Sequence, residues 1–320
     1  MKRQKSCALD EKQETSVMIK IAVPLALLAT VLVGSLLAAP AQAQNRTYTA
    51  VSAAAATLPS PLCGSVQSPC HTLQAAYDVT APKGMIDVLD PGEYGPLTIG
   101  HAISIQGHGW ATVVAAPGGT AITVNAGPSD NINLRGVLLD GAGSGAYGIV
   151  FNSGATLNIQ DSAIRNFLGG NTPAGILYGP NGSSQLFASN TLVSDNGHYG
   201  MYISNGGAAS NWVNAVLDNV AIVNNVYFGV YGQGAVHVMV RNSTLSDNGT
   251  ALWAQSVSNN ISVILVTRST ITGNLGGWGA SGGQVQSYGD NNIDNNSASN
   301  FAPPCVDGNG TSSCTAPAWK

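Results

Sequence analysis

Charge is what this chain has least of. Only 9% of its 320 residues are Asp, Glu, Lys or Arg, and aromatic residues make up 6%. A disordered chain carries many charges and few apolar side chains, so a hydrophobic fraction of 44% excludes that class. A coiled coil needs an abundance of Glu, Lys and Leu that is missing here. With 12 basic residues against 16 acidic ones, there is no material for the basic face of a nucleic-acid binder. Glutamate is almost absent, Glu93 being the sole one after residue 43, and no two aspartates are adjacent. Chemistry that relies on paired carboxylates therefore has little to draw on.

The first 43 residues read as a processing signal rather than as part of a fold. After Lys20 an apolar run from Ile21 to Leu37 leads to Ala41-Gln42-Ala43, with small residues where a signal peptidase requires them. The run is as long as a membrane span, but Pro24 and the Ala-rich end favour cleavage, and either Met1 or Met18 could be the start. Removal takes five of the 12 basic residues and three of the 16 acids, leaving 7 and 13, a net charge of −6. Nucleic acid and anionic membrane surfaces are then poor partners, and no membrane span remains. Of the five cysteines Cys7 leaves as well. The remaining close pairs, Cys63 with Cys70 and Cys305 with Cys314, suggest two local disulfides in an exported chain, with no metal site.

What the chain does have is an internal repeat. The apolar anchors Leu139, Ile164, Val193, Ile222, Leu245 and Ile271 recur at steps of 25, 29, 29, 23 and 26. Each repeat holds an anchor segment, a polar turn such as Ser194-Asp195-Asn196-Gly197, and a second element opening with glycine and an apolar residue, as in Gly200-Met201 and Gly229-Val230. A third element then alternates, as in Val236-His237-Val238-Met239-Val240. Alternation over runs this short predicts strands, and no segment carries a sustained helical period. Three strands per repeat, joined by turns rich in Asn and Gly, describe one coil of a parallel β-helix. Coils stack at about 4.8 Å, so equivalent residues form columns. Asn196, Asn225, Asn248 and Asn274 fall in one, where stacked amides can bond from coil to coil.

The stretches Thr72–Asp78, Ile86-Asp87-Val88-Leu89-Asp90-Pro91-Gly92-Glu93-Tyr94 and Ile103-Ser104-Ile105-Gln106-Gly107 resemble the opening of right-handed parallel β-helix proteins of the pectin-lyase-like superfamily. The resemblance covers roughly residues 47–290 and implies an all-β, right-handed single-stranded parallel β-helix with an N-terminal amphipathic cap helix. Leu73, Ala76 and Tyr77 would form that helix's apolar stripe, and Ser68 before Pro69 its start. The expected layout is a signal segment over 1–43, a cap over 44–84, coils over 85–290 and a C-terminal cap or tail over 291–320. The fold hosts lyases, hydrolases, adhesins and inert stalks, so it does not imply one activity.

Candidate catalytic residues are few. Asp195 and Asp247 share a column two coils apart with Asn224 between them, in turns where Asp serves conformation. Arg241 and Arg268 are expected at equivalent positions, with Asp218 one coil earlier, a surface charge ladder more readily than a lyase base. Gly107-His108-Gly109 matches a tripeptide of polygalacturonases but lacks the paired aspartates, and reads as a turn. His237 alternates with Val236 and Val238 and is expected to point outward. The sharper feature is the outward column of the second strand: Val150, Leu177, Tyr202, Tyr231, Trp253, with Ser204, Gln233 and Gln255 beside it. Rings flanked by amides suit a sugar chain, and equally strengthen a stack.

The expectation is a secreted, periplasmic or extracellular monomer that binds a polysaccharide or cell-surface glycan without catalysis and without a cofactor. A polysaccharide lyase or hydrolase, with calcium implied only for the lyase, is the alternative, and a purely structural surface protein the third.

Overall fold

The computed structural model describes residues 43–51, 63–206 and 210–305; the signal segment and Cys314 lie outside the described residues. The chain winds into a parallel β-solenoid in which every strand pairing between coils is parallel. Each coil contributes an anchor strand, a strand opening near a glycine and an alternating strand, and the glycine strands alone build an eight-stranded sheet from Leu97–Ile99 to Gly276–Ser281. Parallel pairing begins with Gln44–Thr49 on Thr80–Val88 and ends with Asn292–Asp294 on Thr270–Thr272. The coiled region thus runs beyond 85–290 at both ends, into segments whose sequences do not show the repeat.

The anchors pair as their spacing predicts. Leu139, Ile164, Val193, Ile222, Leu245 and Ile271 stand in one register, each fully buried. Ile149, Ile176, Met201, Val230 and Leu252 form the facing column on the glycine strands, continued by Trp278. Each of these side chains is worth about 1.5–3 kcal/mol when fully removed from water.

Two corners flank each anchor strand, and both need a left-handed residue. Asp161, Asn190, Asn219, Asn242 and Arg268 take it before the strand, with φ between 46° and 52°. Asn166, Asp195, Asn224 and Asp247 take it after the strand, with φ between 55° and 62°. Asn and Asp tolerate this conformation because their short side chains bond locally. The glycines Gly148, Gly175, Gly200 and Gly229 are present for another reason. A Cβ on any of them would lie 2.4–2.8 Å from the carbonyl oxygen of the next coil.

Beside the second corner runs the buried amide column, Asn196, Asn225, Asn248, Asn274 and Asn296. The Asn196 Nδ2 donates to Asn225 Oδ1 at 2.8 Å, Asn225 to Asn248 at 2.9 Å, Asn248 to Asn274 at 3.0 Å and Asn274 to Asn296 at 2.8 Å. Each Oδ1 also accepts the backbone N–H of the preceding coil's Asn. From Asn225 onward the Nδ2 groups further satisfy carbonyls of the anchor strands, as Asn248 does at Ile222 and Ser246.

At the N-terminal side a short helix, Leu73–Val79, buries Leu73, Ala76, Tyr77 and Val79. It starts at Thr72, whose Oγ1 accepts from the Ala75 N–H at 3.1 Å, not at Ser68. Ser68 is held in a separate turn, its N–H donating to Ser65 Oγ and its carbonyl accepting from Gly64, inside the loop closed by the Cys63–Cys70 disulfide. At the other end the backbone at Cys305 pairs in parallel with that at Ser287, whose N–H donates to the Pro304 carbonyl at 3.0 Å.

Asn225→Ala removes an acceptor from two groups and a donor from buried carbonyls. At about 1–3 kcal/mol per unsatisfied buried group, a loss of roughly 3 kcal/mol or more is expected in urea denaturation. Asn224→Ala, at an exposed left-handed position, is expected to cost only about 1–2 kcal/mol. Equal losses would contradict the ranking of ladder over corner.

Candidate functional site

The glycine sheet places Val150, Leu177, Tyr202, Tyr231 and Trp253 in one outward column, with Ser204, Gln233 and Gln255 in register two residues on. The rings do not lie flat on the sheet. Tyr202 and Tyr231 are 5.3 Å apart and within 9° of parallel, so their faces are turned to each other along the solenoid axis. The hydroxyl of Tyr202 donates to Gln233 Oε1, and that of Tyr231 to Gln255 Oε1. Trp253 closes the pile by covering Gly279. Tyr231 is only 8% exposed. Burial raises the pKa of both phenols, for Tyr202 with a further push from Tyr231.

A second aromatic pair, not singled out from the sequence, completes this packing. Tyr199 and Phe228 precede the column glycines, stack on each other at 5.7 Å and turn edges to Tyr202 and Tyr231. Their position in the repeat, one residue before each glycine, was the available signal. His198 lies between Tyr199 and Tyr227, its ring 4.1 and 4.4 Å from theirs, and its buried Nδ1 has no hydrogen-bond partner.

The candidate catalytic residues are dispersed or paired. Asp195 accepts from Asn224 Nδ2 at 2.7 Å, and Asp247 is two coils on; both hold corner conformations. Arg241 pairs with Asp218 at 2.9 Å, on neighbouring coils in register. Arg268 is not its equivalent: Thr267 pairs with Arg241, and Arg268 occupies the corner column one residue later. The Asp218 carboxyl is held below its ordinary pKa by the hydrogen bond from Asn242, then by Arg241, while desolvation opposes them. Asp161 is lowered in the same way by Asn190 and Arg135. Among the described residues no group of three or more His, Cys, Asp and Glu could hold a metal ion.

His108 sits in a bulge of the long strand Ile103–Val114, where the register shifts between Gln106 and Ala111. Its Nε2 lies 2.7 Å from Asp87 Oδ1, and Arg46 holds the other oxygen at 3.0 Å. His108, Gln106, Arg135 and Asp161 line one cleft of about 430 Å³.

Three further concavities lie on the outer face of the alternating sheet. One, of about 510 Å³, is lined by Trp212, Asn214, His237, Asn259, Asn260 and Ile261. The next, of about 410 Å³, shares Asn214 and His237 and reaches Phe187, Val216, Met239 and Leu265. A third shares Phe187 and Val216 and continues to Asn158, Gln160, Asp218 and Arg241. Shared walls make them one shallow channel that is continuous along the strands, from Trp212 and Asn214 through Val216 to Asp218, and that spans neighbouring coils. Phe187, Val216, Met239 and Leu265 pair in succession and form its floor. Trp212 and Ile261, each 48% exposed, rise beside it.

No protein-family model matches the chain, and no curated protein matches it. Among solved structures, the crystal structure of pectate lyase Pel9A aligns with a TM-score of 0.56 at 15% identity, covering 86% of this chain and 82% of the other. The chain has a right-handed parallel β-helix fold. At this identity the likeness is one of fold, and the solenoid must be read for function from its own surface.

Burial pushes the His198 pKa below its ordinary 6.5, so the folded state keeps the ring neutral while the unfolded chain takes up a proton near that value. Stability from this group is therefore complete above pH about 6.5 and declines as pH falls below it. The urea midpoint is expected to drop between pH 7 and pH 5 more steeply in the native chain than in His198→Phe. Equal slopes would show that His198 does not contribute.

Proposed function

We propose that this β-helix is an exported protein that binds a glycan in the channel of the alternating sheet and does not itself cleave it. The observation that carries this reading is the channel's composition. An apolar floor from Phe187 to Leu265 runs between amides and an imidazole, Gln185, Asn214 and His237, with Trp212 exposed beside it. Sugar rings pair apolar faces with aromatics and aliphatics and give their hydroxyls to amides.

The column of Tyr202, Tyr231 and Trp253 supports binding less well, because its ring faces and the Gln233 and Gln255 carbonyls are engaged within the stack. The acids give further support for binding without cleavage. Asp87, Asp140, Asp161 and Asp218 are each committed to an arginine. Export agrees with the apolar leader and with the Cys63–Cys70 disulfide, since disulfides persist in oxidising compartments.

One observation favours the enzymatic alternative. The Asp87–His108 pair beside Arg135 is an oriented imidazole in a cleft, an arrangement suited to proton transfer.

Affinity electrophoresis in gels containing cell-wall polysaccharides tests the reading. Retardation by at least one glycan is expected, reduced about tenfold in affinity by Trp212→Ala and unchanged by His108→Ala. Appearance of reducing or unsaturated products that His108→Ala abolishes would establish the enzyme instead.

A further inference from the structure

The channel can be read for the chemistry of its occupant as well as for its shape. Three outward columns cross it. The floor is Phe187, Val216, Met239 and Leu265. One margin is Gln185, Asn214, His237 and Val263, and the other is Gln160, Ser189, Asp218 and Arg241. With coils spaced about 4.8 Å apart, the four floor residues extend over roughly 14 Å along the solenoid axis. Among the described residues the only formal charges lining the channel are Asp218 and Arg241, and they neutralise each other at 2.9 Å. The amides are uncharged, and the nearby basic residue Arg268 stands outside the channel in the corner column.

Resting on the glycan-binding reading, we infer that the channel selects a neutral polysaccharide and discriminates against acidic ones. A polyanionic chain laid over this floor would surrender the hydration of its carboxylates with no free cation to receive them, and burying an unpaired charge is costly. A neutral chain pays no such penalty. Its hydroxyls meet Gln185, Asn214, Asn259 and Asn260, which offer donors and acceptors together, and its apolar ring faces meet Phe187 and Trp212. An extended polypeptide fits less well. Its backbone groups call for an open strand edge, and this channel offers the face of a sheet whose strands pair on both sides.

The test uses the full exported chain and isothermal titration against two panels at matched ionic strength: neutral xylan, β-glucan and galactomannan oligosaccharides, and acidic oligogalacturonate and alginate. The inference predicts binding within the neutral panel, weakened at least tenfold by Trp212→Ala and by Phe187→Ala, and no measurable binding of the acidic panel. Circular dichroism of both variants confirms that they fold, and a third variant, Gln185→Lys, is expected to gain affinity for oligogalacturonate by adding a cation at the margin whose neighbours, Thr156 and Asn214, carry no charge to pair with it. Tighter binding of the acidic panel by the native chain would overturn the charge inference and leave the glycan reading standing. Neutral binding that survives Trp212→Ala and Phe187→Ala but is lost on joint replacement of Tyr202, Tyr231 and Trp253 by Ala would place the site on the other sheet and overturn the channel. Binding of neither panel would remove the glycan reading itself.

Discussion

The solenoid depends on a column of asparagines that are almost wholly out of water. A buried amide has to find partners for two donors and an acceptor, and Asn225, Asn248 and Asn274 take them from the coil above, the coil below and the adjoining anchor strands. Satisfying the amide therefore fixes three things together: the spacing of coils, the turn that ends the anchor strand, and the register of the glycine strand that follows. The bare glycines beside the column belong to the same constraint, since the carbonyl of the next coil occupies the volume a Cβ would need. With register set from inside, side chains on the outer faces are free to vary, and the outer face is where sheets differ.

Those faces have taken different roles. On the glycine sheet the aromatics are turned upon one another, their hydroxyls bonded to the glutamines of the next coil, and His198 is packed against them. Such contacts between rings are worth about 0.5–1.5 kcal/mol per pair, and they strengthen the stack at the expense of an open binding face. On the alternating sheet a ladder of side chains from Ser104 through Asn133 to Asn158 gives way to Phe187, Val216, Met239 and Leu265, which leave a channel. Scarce charge is spent on links between coils, as in Arg135 to Asp161, Arg165 to Asp140 and Arg241 to Asp218. The shortage of carboxylates for chemistry is thus sharper than composition alone indicates.

Much of this was legible in the sequence because period and identity coincide. The anchors, the column glycines and the asparagines each repeat one kind of residue at the same place over several successive coils, so their alignment survives loops of unequal length and the change to Ala251. The outward column of Tyr202, Tyr231 and Trp253 was legible for the same reason. Its ring orientation was not, because orientation depends on Tyr199 and Phe228 from the neighbouring column and on hydrogen bonds formed only when coils stack. Arg268 was displaced by one position because an arginine stands where the other coils place Asp or Asn, breaking the match of corner residues. The channel was hidden most deeply. Its wall and floor combine Trp212, His237 and Leu265 from three coils, residues of no common type, and their sequence pattern is the ordinary alternation of a strand.

The central claim is that the open channel, and not the aromatic stack, receives the ligand. A crystal structure of the protein soaked with a neutral xylo- or gluco-oligosaccharide tests it most directly. Sugar density is expected over Phe187, Val216, Met239 and Leu265 with a ring against Trp212. Density along Tyr202, Tyr231 and Trp253, or in the cleft between His108 and Arg135 with the channel empty, would contradict it.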